Sequence, residues 1–324
     1  MKDSTYAHFT TTNVQGLHQL TKRINLFHHW SRRTTSDIIF LQETKSTGST
    51  TASTWRDEAH TVGFDSTFSA ESEAAILWRT DSRHVQVDNS LPKNILAKTP
   101  SLQGRVVDVP FKSDHYSFRA ASIYAPAQPT PRKAFFKALD EAFAQVESTT
   151  QWLLAGDWNV VLDSTLDSSQ PNSPTQGAQE LQSMLDKLNV HDAYRSLHPK
   201  GRETTNTPPR GTSRRLDRFY LSPSLLTLAH STSQWQAIGS THQPVSMTLL
   251  SPGSVECGHG IFKLGLHVIN AEGSKQALTN SLQEESAKPC AKAFLLMQTC
   301  GMRQKTFGVS RLRATPEPVD ISTS

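Results

Sequence analysis

At 324 residues, with 36% hydrophobic and 19% charged side chains, the chain is long enough for one large or two smaller domains and can bury a substantial core. No run approaches the ~18 apolar residues needed to span a bilayer, and residues 1–8 lack the apolar segment of a signal peptide, which disfavours a membrane or exported protein. Cys257, Cys290 and Cys300 lack the paired spacing of a zinc site, so a reducing compartment without a structural disulfide is expected, and the net charge of +4 permits a polyanionic partner without demanding one.

In chain order, short apolar or β-branched runs punctuated by Gly, Pro or polar clusters predict strands over 7–14, 37–43, 74–78, 105–111, 116–124, 151–160, 216–221, 234–238 and 245–250. Helices are expected over 17–30, 131–146 and 176–188. The first would turn Leu17, Leu20, Ile24, Phe27 and the stem of His28 inward; the second Phe135, Phe136, Leu139 and Phe143; the third Leu181, Met184, Leu185 and Leu188. The run Ile38-Ile39-Phe40-Leu41 does not alternate, which marks a strand buried on both faces. Strands interleaved with helices over 1–250 predict an α/β fold of two packed sheets flanked by helices. From 251 the texture changes to a Ser-Pro-Gly-Ser linker, one plausible helix over 274–285 and a poorly structured C-terminal tail.

Residues 152–159 read Trp-Leu-Leu-Ala-Gly-Asp-Trp-Asn, an apolar strand that stops at a carboxylate and a carboxamide two positions apart. Alternate residues of a strand share a face, so Asp157 and Asn159 would point the same way, an arrangement suited to phosphate chemistry. Read alone, the octet is equally a strand entering an Asx-type turn. Asn13, Glu43, Tyr124, Asp217 and His242 likewise sit at or near the ends of predicted strands, and each by itself has an ordinary explanation as a turn, rim or surface residue. Arg202, Arg210, Arg214, Arg215 and Arg218 crowd one Thr-rich segment, which is either a solvated loop or a basic edge.

The order of these residues resembles the endonuclease/exonuclease/phosphatase (DNase I-like) superfamily. The segments that carry the likeness are Thr12-Asn13-Val14-Gln15-Gly16-Leu17, 37–44, Ser122-Ile123-Tyr124-Ala125-Pro126, Gly156-Asp157-Trp158-Asn159, Arg215-Leu216-Asp217-Arg218-Phe219-Tyr220 and Thr241-His242. Within it, 192–199, Arg202-Glu203 and 213–223 look most like the apurinic-type endonuclease domain of non-LTR (LINE-like) retrotransposons. The downstream 258–267 is similar to the linker such elements place before a reverse transcriptase; no polymerase motif follows, so an excised, truncated or decayed copy is expected.

The resemblance implies a four-layer α/β-sandwich and a site at one sheet edge. It implies that Glu43 holds Mg²⁺ or Mn²⁺ with Asn13 orienting that carboxylate or a bound water, and that Asp157 positions or deprotonates the attacking water. Asn159 and Tyr124 would serve the phosphate, His242 would neutralise transition-state charge, and Asp217 would fix the His242 tautomer. Thr205, Arg202, Arg210, Arg214 and Arg215 would contact DNA, and no obligate protein partner is expected. An intracellular, nuclear location follows only from that substrate. Two departures stand out: Thr241 replaces the aspartate that precedes the family's histidine, and Thr204 and Asn206 replace aromatics around the threonine. A catalytically decayed nucleic-acid-binding remnant and a phosphatase acting on a small phosphoester are the competing readings.

Overall fold

The computed structural model describes residues 6–68, 73–113, 116–170 and 175–251. The expected linker beyond Ser251, the helix over 274–285 and the tail lie outside the described residues. The chain order is β1 (Tyr6–Asn13), α1 (Leu20–Arg33), β2 (Ile38–Gln42), α2 (Gly48–Thr61), β3 (Phe64–Phe68), β4 (Ala74–Arg79), β5 (Gln86–Val87), β6 (Val106–Lys112) and β7 (Ser117–Tyr124). It continues with α3 (Pro129–Phe143), β8 (Trp152–Asp157), α4 (Ala178–Leu188), β9 (His191–Asp192), α5 (Ala193–Leu197), β10 (Asp217–Leu221), α6 (Pro223–Leu226), β11 (Ala229–Gln234) and β12 (Val245–Leu250).

Two mixed sheets form, ordered β11-β12-β1-β2-β4-β3 and β5-β6-β7-β8-β10-β9. Their inner faces share a core in which Phe9 and Phe40 of the first sheet meet Phe118 and Phe219 of the second, with ring centroids 6.1 and 6.0 Å apart. On the outside of the first sheet, Ile39 and Leu41 pack with Trp30 of α1 and Trp55 of α2. On the outside of the second, Leu154 packs with Phe135 and Leu139 of α3 and Leu181 and Met184 of α4. The layers are therefore helix, sheet, sheet, helix. Strand β2 has apolar neighbours on both faces, which is why its sequence does not alternate.

Some expected elements are placed differently. Helix α1 starts three residues later than expected and buries Arg23, Leu26, Phe27 and Trp30, leaving Leu20 and Ile24 55% and 40% exposed. Arg23 takes the inward position because its guanidinium pairs with Glu58 and donates to the Leu17 carbonyl, satisfying the charge while its stem packs. The strand expected over 234–238 is β11, which ends at Gln234. Trp235 and Ile238 instead lie against the α1–α2 layer, and the strand itself is polar because it is a sheet edge. Helix α2 and strand β3 are Ser/Thr-rich and were not expected; only Ala52, Trp55 and Ala59 form the buried stripe of α2.

The topology gathers the site. Each sheet contains one parallel pair, β1 with β2 and β7 with β8, and ligands of open α/β sheets collect at the carboxyl ends of such strands. Asn13 and Tyr124 end β1 and β7, Asp157 ends β8, and Glu43 follows β2. Strand β10 runs antiparallel to β8 with Asp217 opposite Asp157, so its first residue joins the same edge. His242 enters it from the loop before β12, whose Val245 pairs with Thr11.

Candidate active site

Strand β8 delivers Asp157 because Gly156 lets it press against β7: a Cβ at 156 would stand 1.9 Å from the Ile123 carbonyl oxygen. That close approach sets the register in which Tyr124 lies beside Asp157. The strand ends there. Asn159 is not on a strand face shared with Asp157; it sits at φ 50°, with its backbone N–H donating to Asp157 Oδ1 at 3.0 Å. The Asx-type turn and the site are thus one structure. Between them, Trp158 is fully buried, donates its indole N–H to the Arg218 carbonyl and meets Tyr220 edge-on at 4.9 Å, so the turn has an apolar anchor.

Asp157 is 1% exposed, and both its oxygens accept hydrogen bonds, Oδ1 from Asn159 and Oδ2 from Asn13 Nδ2 at 2.9 Å. Asn13 is therefore engaged with Asp157 rather than Glu43, and its own Oδ1 accepts from the Gln15 N–H. His242 closes the cluster, with Nδ1 2.9 Å from Asp217 Oδ2 and Nε2 3.9 Å from Asp157 Oδ2. Burial pushes the His242 pKa down, but the carboxylate of Asp217, then those of Asp157 and Glu43, outweigh it and lift it to about 9. Burial, then Asp217, push the Asp157 carboxyl up to about 6 against the pull of His242, Asn13 and Asn159. Tyr124 is held protonated by burial first, then by Glu43, Asp157 and Glu73, with Arg105 stacked 5.1 Å from its ring centroid.

Glu43 is partly exposed and pairs with Lys45 Nζ at 2.7 Å. Gln15, Glu43, Lys45 and Asn159 all hold φ between 48° and 60°, a conformation costing on the order of 1–3 kcal/mol per residue and concentrated here at one edge. Glu73, just before β4, was not anticipated: its backbone carbonyl accepts from Thr44, and its buried Oε2 has no hydrogen-bond partner among the described residues. Gln42 was also missed. It bridges the sheets beneath the site, accepting from Thr11 and donating to Ser122 of β7 at 3.0 Å. A lone Gln inside an apolar run was its only signal.

Asp157, Asp217 and His242 bring one ligand atom each within 4.8 Å of one another. Their hydrogen bonds already engage Asp217 Oδ2, His242 Nδ1 and both Asp157 oxygens, however, and Mg²⁺ prefers oxygen ligands while keeping several waters. Glu43 is partly open to solvent and could take such a hard cation by giving up its pair with Lys45.

Two residues expected to touch nucleic acid are interior. Thr205 is 1% exposed; its hydroxyl donates to Asp217 Oδ2 at 2.6 Å and accepts the N–H groups of Leu216 and Asp217. Arg215 is 3% exposed and bound to Asp167 and Asp192, beside the fully buried Arg218. Burial would raise the Asp167 pKa, but Arg218, Arg215 and Arg195 overcome it and hold the carboxyl at about 2. These arginines fix the start of β10, and so Asp217, from behind. Arg202, Arg210 and Arg214 are exposed, as either a solvated loop or a basic edge would have them.

The two raised pKa values carry a sign. A pKa raised on folding contributes stability that is present below the unfolded value and lost as pH rises through the folded value. For His242 that window runs from 6.5 to about 9, and for Asp157 from 3.8 to about 6. The metal-free protein is therefore expected to lose stability between about pH 7 and 9 in urea titrations, and His242→Gln should flatten that limb. An unchanged slope in the variant would assign the limb to other groups.

Two mixed sheets flanked by helices, with an Asp-Asn-His cluster and a partly open glutamate at one edge, form a DNase I-like fold. The chain belongs to the Endonuclease/Exonuclease/phosphatase family, which it matches over residues 10–242. It is 23% identical over 215 residues to the "Transposon TX1 uncharacterized 149 kDa protein" of Xenopus laevis; the match takes in 65% of this chain and spans 16% of that protein's length. An AP endonuclease from Archaeoglobus fulgidus has a TM-score of 0.61 at 16% identity, covering 75% of this chain and 99% of that one. The endonuclease domain of TRAS1, a telomere-specific non-LTR retrotransposon, has a TM-score of 0.51 at 15% identity, covering 76% and 99%.

Proposed function

We propose that the chain is a divalent-metal-dependent endonuclease, derived from a non-LTR retrotransposon, that nicks DNA and leaves a 3′-hydroxyl usable for priming. The observation that carries this reading is the coupled cluster in which Asn13 holds Asp157 at 2.9 Å and Asp217 holds His242 at 2.9 Å, with Tyr124 in register beside them. The similarity to a transposon protein, an AP endonuclease and a retrotransposon endonuclease domain supports DNA as the substrate class.

Asp157 orients the attacking water and accepts its proton, a role suited by a carboxyl that burial and Asp217 lift above the ordinary carboxylate range. His242, charged at neutral pH, faces the negative charge that builds on the phosphate, and Asp217 fixes its ring. Tyr124, kept protonated by its burial, offers its phenolic O–H as a hydrogen bond to the phosphate or the leaving oxygen. Asn159 Nδ2 gives one N–H to the Ala125 carbonyl at 2.9 Å and would offer the other to a phosphate oxygen. Glu43 would hold Mg²⁺ or Mn²⁺, which when bound stabilises charge developing on the phosphate oxygens. Arg202, Arg210 and Arg214 would meet the DNA backbone.

Nicking of supercoiled plasmid in Mg²⁺ and in Mn²⁺ tests the reading. Parent protein should nick, and Glu43→Gln should raise the metal concentration for half-maximal activity by at least about 10- to 100-fold, the cost of removing even a residue that only supports a metal ligand. Salt-dependent duplex binding without nicking in either metal would instead establish a non-catalytic nucleic-acid-binding remnant.

A further inference from the structure

The two departures from the family pattern touch each other. Asn206 Nδ2 donates to Thr241 Oγ1 at 3.2 Å, and Gln15 Nε2 donates to the same oxygen at 3.0 Å. Gln15 also returns the contact, its Oε1 accepting the Thr241 N–H at 3.0 Å. On the other side, the Thr241 carbonyl accepts from Thr207 at 3.1 Å, and the Thr205 carbonyl from Gln243 at 2.7 Å. Ser240 donates its hydroxyl to the Asn13 carbonyl at 2.7 Å and accepts the His242 N–H at 3.1 Å. Residues 240–243 thus lie as a strip gripped by 13–15 along one side and 205–207 along the other.

We infer that Gln15, Asn206 and Thr241 form a charge-neutral clasp that positions His242, so that Thr241 is a working part of the site rather than the scar of a lost carboxylate. The His242 loop joins β11 to β12 across ten residues, and the clasp joins it directly to the segments that carry Asn13 and Thr205. Those residues in turn bind Asp157 and Asp217, the two carboxylates flanking the imidazole. Gln15 stands at φ 48°, a conformation kept where surrounding contacts enforce it, and its two hydrogen bonds to Thr241 are such contacts. Thr241 needs its hydroxyl because two amide N–H donors converge on that one oxygen. An apolar residue there would leave both without this acceptor.

The inference rests on the nuclease reading only for its kinetic arm. Gln15→Ala and Thr241→Val should each lower kcat for nicking by about 10- to 100-fold with KM little changed, as expected when a reacting group is displaced by about 1 Å. Gln15→Ala should cost less in a Thr241→Val background than alone, because the Nε2–Oγ1 contact is already gone there and only the Thr241 N–H to Gln15 Oε1 bond is left to lose. Thr241→Ser, which keeps the oxygen, should retain near-parent kcat. The second arm is ¹⁵N NMR of histidine-labelled protein at one fixed pH, where Gln15→Ala and Thr241→Val should shift and broaden the His242 imidazole signals and Thr241→Ser should not.

Gln15 is exposed, so its truncation keeps the test alive if Thr241→Val fails to fold. Parent nicking with unchanged kcat and unchanged His242 signals in Gln15→Ala would overturn the clasp and leave the nuclease reading standing. A parent that does not nick would overturn the nuclease reading, and the NMR arm would still decide the clasp by whether the His242 signals move.

Discussion

Asp157→Asn is expected to lower kcat for plasmid nicking by about 10³-fold, within the range of 10² to 10⁴ that positioned acid–base groups contribute. Both oxygens of Asp157 face donors, Asn13 Nδ2 at 2.9 Å and the Asn159 N–H at 3.0 Å. However the introduced amide is turned, its NH₂ meets an N–H, so one buried hydrogen bond is lost at about 1–3 kcal/mol. An opposing gain exists, because burial and Asp217 disfavour the charge that is removed. The net cost should be about 1 kcal/mol, or a few degrees in Tm. A 10³-fold rate loss corresponds to about 4 kcal/mol, so activity must fall far more than stability. Single-turnover nicking beside thermal melts separates the two. A variant that retains kcat within tenfold would remove Asp157 from the reaction.

What the sequence made legible follows a physical pattern. Residues 152–157 and 38–41 were readable because strands buried on both faces are apolar throughout, and α3 because Phe135, Phe136, Leu139 and Phe143 repeat at helical spacing. The edge strand β11 and helix α2 were not, since an edge needs little burial and α2 buries only three side chains. For the site, the candidate residues were legible in their order along the chain, whereas the partners of each side chain were not. Nothing in Arg215 or Thr205 distinguishes a solvated arginine from one held by Asp167 and Asp192, or a surface threonine from one folded under Asp217. Those distinctions depend on carboxylates at 167, 192 and 217, brought together by strand pairing and loop packing rather than by spacing. Asn159 shows the converse. Strand alternation placed it beside Asp157 for a wrong reason, and the turn that ends the strand placed it there for a right one.

Thr205→Val is expected to destabilise the protein by about 3 kcal/mol. The exchange conserves size and shape, so it opens no cavity and forces no clash; what it removes is one hydroxyl with three hydrogen bonds. Leu216 N–H and Asp217 N–H lose an acceptor 2.9 and 3.0 Å away in a buried setting, each worth about 1–3 kcal/mol before relaxation. Asp217 loses the 2.6 Å donor on Oδ2 and keeps His242 there, while its Oδ1 is already buried without a partner among the described residues. Thr205→Ser keeps the hydroxyl and gives up one buried methyl, so it should cost only about 1 kcal/mol. Urea unfolding of the two variants decides between an interior role for Thr205 and the nucleic-acid contact first expected of it. If Thr205 instead contacted nucleic acid through its hydroxyl, Thr205→Val would weaken duplex binding, Thr205→Ser would not, and both would unfold at the parent midpoint. An interior Thr205 separates valine from serine by about 2 kcal/mol before any DNA is added.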